Sequence, residues 1–213
     1  MFLKTNLKLG EITNLSDARF AAGRGAAFAG YNFTPGHPNY LEPEKAQEII
    51  GWLDGPKMVG EWNNGIAEVI WDTAERLQLD YIQLNWIDTE VGDKLQEWNI
   101  IQNIDLDIDK HTDVIIGQID ATQAFTQIYM FTLAAEADLD LYLKSKVHVQ
   151  MLQSVCRDYP VIVNFPFSTK NLLPVLDELK PFGINLNGGK EIKPGYKDFD
   201  LLNDLVDLIE LED

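Results

Sequence analysis

Two carboxylates and two nitrogen groups are the residues best suited to moving protons. Glu11 follows Gly10 directly, just after the first apolar run, and Glu61 lies near the end of the third. Either could serve as a general base, with His37 or Lys190 as the acid. The competing structural reading pairs Glu61 with Lys8, because buried charges are usually paired, and leaves Glu11 in solvent. Strand alternation sets Glu61 and Met58 on opposite faces without fixing which of them looks inward. Carboxamides form a second group. Gln83, Asn85, Asn185 and Asn187 stand in or at the ends of apolar runs, where they suit a sugar-like or amide-bearing ligand, or water. Asn187-Gly188-Gly189-Lys190 could hold an anion on backbone N–H groups. Trp62 and Trp86 could stack on a planar ligand or simply pack. Cys156, spaced helically with Leu152 and Val155, reads as a small buried hydrophobe. His37, His111 and His148 are too scattered for a zinc triad, so no metal site is expected. His148 is expected on a helix surface.

These groups need elements to position them, and the organising signal is alternation. Apolar β-rich runs recur at Leu7–Leu9, Ala27–Gly30, Lys57–Trp62, Tyr81–Asn85, Ile100–Leu106, Gln127–Thr132, Val161–Asn164 and Ile184–Asn187. Between them lie segments of helical period. Ser16 can cap a helix to about Arg24, and Pro43 suits a first helical position ahead of Ala46, Ile49 and Ile50. Ile66, Val69, Ile70, Ala74 and Leu77 form a third stripe, and Val91, Leu95 and Trp98 a fourth. Asp107 to Phe125 is assigned a fifth helix by elimination. Val147–Tyr159, Ser168–Lys180 and Phe199–Leu211 complete the set, the last as a docking helix with an acidic outer face. Eight βα units predict a closed (β/α)8 TIM barrel, one domain spanning residues 1–213, with its chemistry at the C-terminal ends of the strands. No GxGxxG or Walker-type loop follows a strand, which weakens the open-sheet nucleotide binders.

The balance of 34 acids against 17 bases, net charge -17, argues against phosphate-neutralising nucleic-acid binding and against an anionic membrane surface. One cysteine rules out a disulfide within the chain and a multi-Cys zinc site. No apolar run reaches membrane-spanning length, and Met1–Gly10 lacks the apolar stretch of a secretory signal. The expectation is a cytoplasmic protein.

Lys8-Leu9-Gly10-Glu11-Ile12-Thr13 through Ala18 resembles the opening K-[IV]-C-G-I-T of the phosphoribosylanthranilate isomerases. The likeness continues through Gly30-Tyr31-Asn32-Phe33 with Pro35, Pro38, Tyr40 and Pro43. It recurs at Leu79-Asp80-Tyr81-Ile82-Gln83-Leu84, against the family's LDxVQLHG, and at Lys180-Pro181-Phe182-Gly183-Ile184-Asn185 with Gly189, Glu191 and Pro194-Gly195. The resemblance implies the barrel and an Amadori rearrangement in tryptophan synthesis. It implies a phosphorylated substrate, no cofactor, and a monomer or homodimer.

The family's working residues do not carry over. Its base, a Cys, falls on Gly10, and its acid, an Asp, on Thr132. Its carboxylate-binding Arg falls on Asn39, and the His after strand four on Asn85. Gln83 matches the family's strand-four Gln. The phosphate-gripping glycines are replaced by Asp138–Lys144 and by Asn164-Phe165-Pro166-Phe167, leaving Asn187, Gly188, Gly189 and Lys190 as the remaining anion site. Three readings follow. The chain binds a small metabolite, phosphorylated or not, at the barrel mouth with little isomerase activity. It works with displaced groups such as Glu11 and Glu61. Or it is a non-catalytic scaffold.

Overall fold

The computed structural model describes residues 2–188, 191–193, 196–197 and 199–211. Eight parallel strands close into a ring in chain order. They are β1 (Asn6–Gly10), β2 (Phe28–Asn32), β3 (Lys57–Trp62), β4 (Tyr81–Leu84), β5 (Asn99–Leu106), β6 (Ile128–Leu133), β7 (Val161–Asn164) and β8 (Gly183–Asn187). The predicted (β/α)8 barrel is present, and each predicted strand lies within about two residues of the observed one. Closure is made by β1 against β8, with Lys8 opposite Asn185 and Gly10 opposite Asn187. A short antiparallel ribbon, β9 (Glu191–Lys193) with β10 (Tyr196–Lys197), follows the eighth strand.

The outer layer comprises α1 (Leu15–Gly23), α2 (Pro43–Ile50), α3 (Ala67–Leu77), α4 (Thr89–Lys94), α5 (Thr112–Thr122), α6 (Leu139–Lys144), α7 (Lys146–Asp158), α8 (Leu172–Leu179) and α9 (Asp200–Ile209). Local chemistry explains their starts. Asn14, rather than Ser16, caps α1 by accepting from the Asp17 N–H, while Pro43 opens α2 as expected. Asp88 caps α4 and Asp138 caps α6 in the same way. The helix assigned by elimination exists as α5. The stretch that replaces the first set of phosphate-gripping glycines forms the additional helix α6, which buries Leu139 and Tyr142.

Two apolar masses hold the barrel. The larger lies between strands and helices. The smaller fills the ring itself and consists of Phe28, Val59, Ile101, Ile128, Met130 and Ile162. Along four strands the inward side chain changes from apolar to polar in a single pleat. Val59 gives way to Glu61, Ile101 to Asn103, Met130 to Thr132 and Ile162 to Asn164. The period-two geometry of a strand therefore gives the barrel a dry base and a polar top. Glu61, not Met58, is the inward member of that pair; Met58 instead receives the Tyr31 hydroxyl at 3.8 Å.

Trp62 is buried outside the ring against Phe33, so it is not available to stack on a ligand in the mouth. His148 corrects another expectation. It is buried, bonded to Ser145 Oγ at 2.6 Å and to the Lys110 carbonyl at 3.2 Å, with its ring against Tyr142. No helix among the described residues is long and apolar enough to cross a membrane.

The C-terminal helix docks as predicted, through Leu202, Leu205, Val206 and Ile209. Truncating the fully buried Ile209 to Ala is expected to cost about 2–5 kcal/mol in urea unfolding. Val69→Ala, at a mostly exposed position on α3, should stay within about 0.5 kcal/mol.

Candidate functional site

The strand ends enclose a polar cavity of about 150 Å3 at the C-terminal mouth. Its floor is the Lys8–Glu61 ion pair, with both side chains essentially excluded from solvent. Two buried charges persist only when their remaining valences are met. Lys8 Nζ also donates to Asn185 Oδ1 at 3.0 Å, and the Glu11 backbone N–H donates to Glu61 Oε2 at 3.1 Å.

Two glycines make room for this pair. A Cβ on Gly30 would lie 2.1 Å from Glu61 Oε1 and 3.0 Å from Lys8 Nζ. One on Gly10 would lie 2.9 Å from Asn185 Oδ1, 3.0 Å from Asn187 Oδ1 and 3.1 Å from Glu61 Oε1. Position 10, where the resemblance puts the base, is therefore crowded by polar atoms rather than merely vacant.

From Lys8 a line of hydrogen bonds runs round half the ring, every donor pointing the same way. Asn185 Nδ2 donates to Asn164 Oδ1 at 3.0 Å, and Asn164 Nδ2 to Thr132 Oγ1 at 3.2 Å. The Thr132 hydroxyl donates to Asn103 Oδ1 at 2.5 Å, and Asn103 Nδ2 to Asp105 Oδ1 at 3.0 Å. An ammonium, which only donates, starts the line, and a carboxylate, which only accepts when ionised, ends it. Those two ends fix which way each amide faces, and aligned bonds reinforce one another. Thr132, at the position of the family's acid, is a link in this line. Asn187 accepts a second bond from Asn185 Nδ2 at 2.7 Å.

Glu11 is not left in solvent. It is half-buried at φ 54°, a left-handed conformation that costs a side-chain-bearing residue roughly 1–2 kcal/mol. The opening motif that this segment resembles has glycine there. The turn aims its carboxylate across the rim, where Oε2 accepts from Asn39 Nδ2 at 2.8 Å and Oε1 lies 3.6 Å from His37 Nε2. His37 Nδ1 in turn accepts the Asn39 backbone N–H at 3.2 Å. Glu11, Asn39 and His37 thus form one cluster, beside the Lys8–Glu61 pair.

Gln83 and Asn85 also line the mouth. Gln83 Oε1 is buried and without a hydrogen-bond partner. Asn103, Asn164 and Asp105 belong to the same ring; Asn164 and Asp105 lie at strand ends where the chemistry is expected, while Asn103 was missed as a site residue. The signal was present, since each is the polar residue two positions after an inward apolar residue or amide near a strand end. Gly189 and Lys190, expected to hold an anion, lie outside the described residues. The Gly188 N–H donates to the Gly10 carbonyl at 3.1 Å. Among the described residues, no group of three or more His, Cys, Asp or Glu side chains could hold a metal ion. Cys156 lies apart on α7, where burial pushes its thiol up to about 12.

The chain is similar to phosphoribosylanthranilate isomerases over nearly its whole length. No family model matches the chain. The N-(5'-phosphoribosyl)anthranilate isomerase of Thermotoga neapolitana is 28% identical over 206 residues, covering 94% of this chain and 96% of that one. A crystal structure of phosphoribosyl anthranilate isomerase with reduced 1-(o-carboxyphenylamino)-1-deoxyribulose 5-phosphate superposes with TM-score 0.74 at 24% identity, covering 95% and 96%. The Thermus thermophilus enzyme gives TM-score 0.75 at 22% identity, covering 95% and 97%.

Two outcomes test these assignments. Lys8→Met, which strands Glu61 in the interior, should cost about 3–5 kcal/mol in denaturant unfolding. Lys8→Met combined with Glu61→Leu should cost less than either single change; strict additivity would show that the charges are not coupled. Because burial raises the Cys156 thiol, it is protonated at pH 8 and gains thiolate only as pH climbs toward about 12. Iodoacetamide should therefore label the native protein at pH 8 at least about tenfold more slowly than the urea-unfolded chain.

Proposed function

We propose that this chain is a divergent relative of the phosphoribosylanthranilate isomerases, to which it is similar over nearly its whole length, and that it has little or no Amadori activity and binds a small ligand in the mouth. One observation carries this reading. The position that the family's base would occupy is Gly10, and the space beside it is taken by Asn185, Asn187 and the Glu61 carboxylate. The rearrangement needs one group to protonate the ribose ring oxygen and another to remove the C2 proton. Each such group contributes roughly 10²–10⁴ in rate. Gly10 has no side chain, and the Thr132 hydroxyl donates to Asn103. Glu61, the nearest carboxylate, is held by Lys8 and the Glu11 N–H. Both of its oxygens are already engaged.

The family's substrate also fits the site poorly. Asn39 offers no bidentate cationic fork for an anthranilate carboxylate, and its amide is engaged with Glu11. What the mouth does offer is a rim of amides held in fixed orientations, which suits recognition of a small polar molecule. Asn85, Gln83, Asn185 and Asn187 are assigned to ligand contact in this reading.

One observation favours a second reading. Glu11 and His37 face each other at 3.6 Å, and a carboxylate beside an imidazole is a competent acid–base couple. In that reading the isomerase works with displaced groups.

The consumption of phosphoribosylanthranilate, followed by its fluorescence at micromolar protein, separates the two. The expected result is decay at the background rate, unchanged by Glu11→Gln. The Gly10→Cys, Thr132→Asp double variant should also stay at background, because a side chain at position 10 meets Asn185, Asn187 and Glu61 and one at position 132 meets Asn103 and Asn164. Turnover well above background that Glu11→Gln abolishes would establish the displaced-group enzyme instead.

A further inference from the structure

A second cavity, of about 370 Å3, adjoins the mouth over the ends of β6, β7 and β8. The two share Glu11, Thr132, Asn164, Asn185 and Asn187. Beyond those shared residues, every described lining residue of the second is apolar. Phe165 and Phe167 come from the segment after β7, with ring centroids 6.0 Å apart. Leu202 and Leu205 come from α9, and the exposed Ala134 and Ala135 from the segment after β6. The segment after β7 spends its backbone polarity on itself. Pro166 has no N–H, the Phe167 N–H donates to the Phe165 carbonyl at 2.7 Å, and the Ser168 N–H donates to Asn171 Oδ1 at 2.7 Å. What it offers the cleft is hydrocarbon. Water finds few partners in such a space, whereas an apolar group fills it.

The mouth is the opposite in character. Its accessible polar groups keep unused bonding capacity of both kinds among the described residues. Asn187 is exposed, and its oxygen accepts from Asn185, which leaves Nδ2 to donate. Asp105 is exposed and accepts from Asn103 through Oδ1, which leaves Oδ2 to accept. Glu11 Oε1 and His37 Nε2 are 3.6 Å apart, beyond hydrogen-bond length. Because His37 Nδ1 accepts the Asn39 N–H, the neutral ring carries its proton on Nε2. Glu11 is therefore left to accept and His37 to donate. A hydroxyl does both, so a head with several hydroxyls meets all four groups. An ammonium cannot accept from Asn187 or His37, and an ionised carboxylate cannot donate to Asp105 or Glu11.

Resting on the reading of the mouth as a small-molecule site, we infer that its ligand is a hydroxyl-rich head carrying an apolar group, as in an aryl or alkyl glycoside. The head sits in the mouth against Asn187, Asp105, Glu11 and His37. The apolar group lies in the adjoining cleft against Phe165, Phe167 and Leu205. In (β/α)8 barrels the loops after strands seven and eight are the usual place for a phosphate. Gly189 and Lys190 lie outside the described residues, so phosphorylated sugars form a separate arm of the test.

Titration calorimetry of the full chain tests this with phenyl β-glucoside, cyclohexyl β-glucoside and phenyl β-riboside. Glucose, ribose and phenol present the head or the apolar group alone, and ribose 5-phosphate and inorganic phosphate form the anionic arm. The glycosides should bind at least about tenfold more tightly than the free sugars or phenol, the gain expected from burying a ring. Ala134→Trp, which fills the cleft from an exposed position, should remove that gain and leave the free sugars unchanged. Asn187→Ala and Asp105→Asn should each weaken glycoside and free sugar alike, about fivefold or more. Circular dichroism melts confirm that each variant is folded, and Ala135→Trp serves where Ala134→Trp is not. Glycosides binding no better than free sugars, both weakened by Asn187→Ala, would overturn the apolar cleft and leave the mouth as a binding site. Ribose 5-phosphate binding more tightly than the glycosides, and lost in Lys190→Ala, would overturn it in favour of an anion subsite. Glycoside binding that Ala134→Trp abolishes but Asn187→Ala and Asp105→Asn leave unchanged would overturn the assignment of the head to the mouth. No binding by any probe would overturn both.

Discussion

The upper half of this barrel depends on one ion pair. Lys8 on β1 and Glu61 on β3 meet inside the ring with almost no access to water. A lone charge there would be prohibitively costly, and even a pair survives only with its other valences met. Those needs organise the surroundings. Lys8 takes the Asn185 oxygen, Glu61 takes the Glu11 N–H, and positions 10 and 30 must lack side chains. The orientation of Asn185 then passes along Asn164, Thr132 and Asn103 to Asp105. The charges at the two ends of this line thus set which way three amides and one hydroxyl, on four neighbouring strands, face.

Beneath that layer the ring is closed by hydrocarbon from Phe28, Val59, Ile101, Met130 and Ile162. The apolar base carries the stability of closure, so the polar top can be specialised without opening the barrel. The division is the one expected of (β/α)8 proteins, with chemistry at the C-terminal ends of strands and packing below. Here the specialisation runs toward oriented dipoles and rim carboxylates. The space between β7 and α9 is lined by phenyl and leucine side chains. Low-dielectric walls beside a polar chamber strengthen whatever electrostatic contact a ligand makes within it.

Much of the architecture was legible in the residues. Alternating apolar runs and helical stripes located all eight strands and the principal helices, because both periods are imposed by burial on one face. What could not be read was parity. A pleated strand has two faces, and composition alone does not say which enters the ring, so Glu61 and Met58 were indistinguishable until β3 was placed. The same ambiguity affected Trp62, whose indole turns outward against Phe33. His148 was misplaced for a different reason. Its helical position is polar, but Ser145 and the Lys110 carbonyl, 38 residues away in sequence, satisfy its ring nitrogens and permit burial. The line from Lys8 to Asp105 was visible only as scattered asparagines. Its continuity is a property of register between strands, which no single segment encodes.

The fit around Gly10 has a consequence for how this surface can change. Any side chain added there must displace an oxygen of Asn185, Asn187 or Glu61, and Glu61 cannot leave without stranding Lys8. The residues tolerated at position 10 are therefore conditional on those at 8, 30, 61 and 185. Substitutions among these sites will be strongly epistatic, and the order in which they are made will decide whether the intermediates fold. The strand ends behave as one interlocked mutational unit, so stepwise replacement is much more restricted than wholesale exchange of the set.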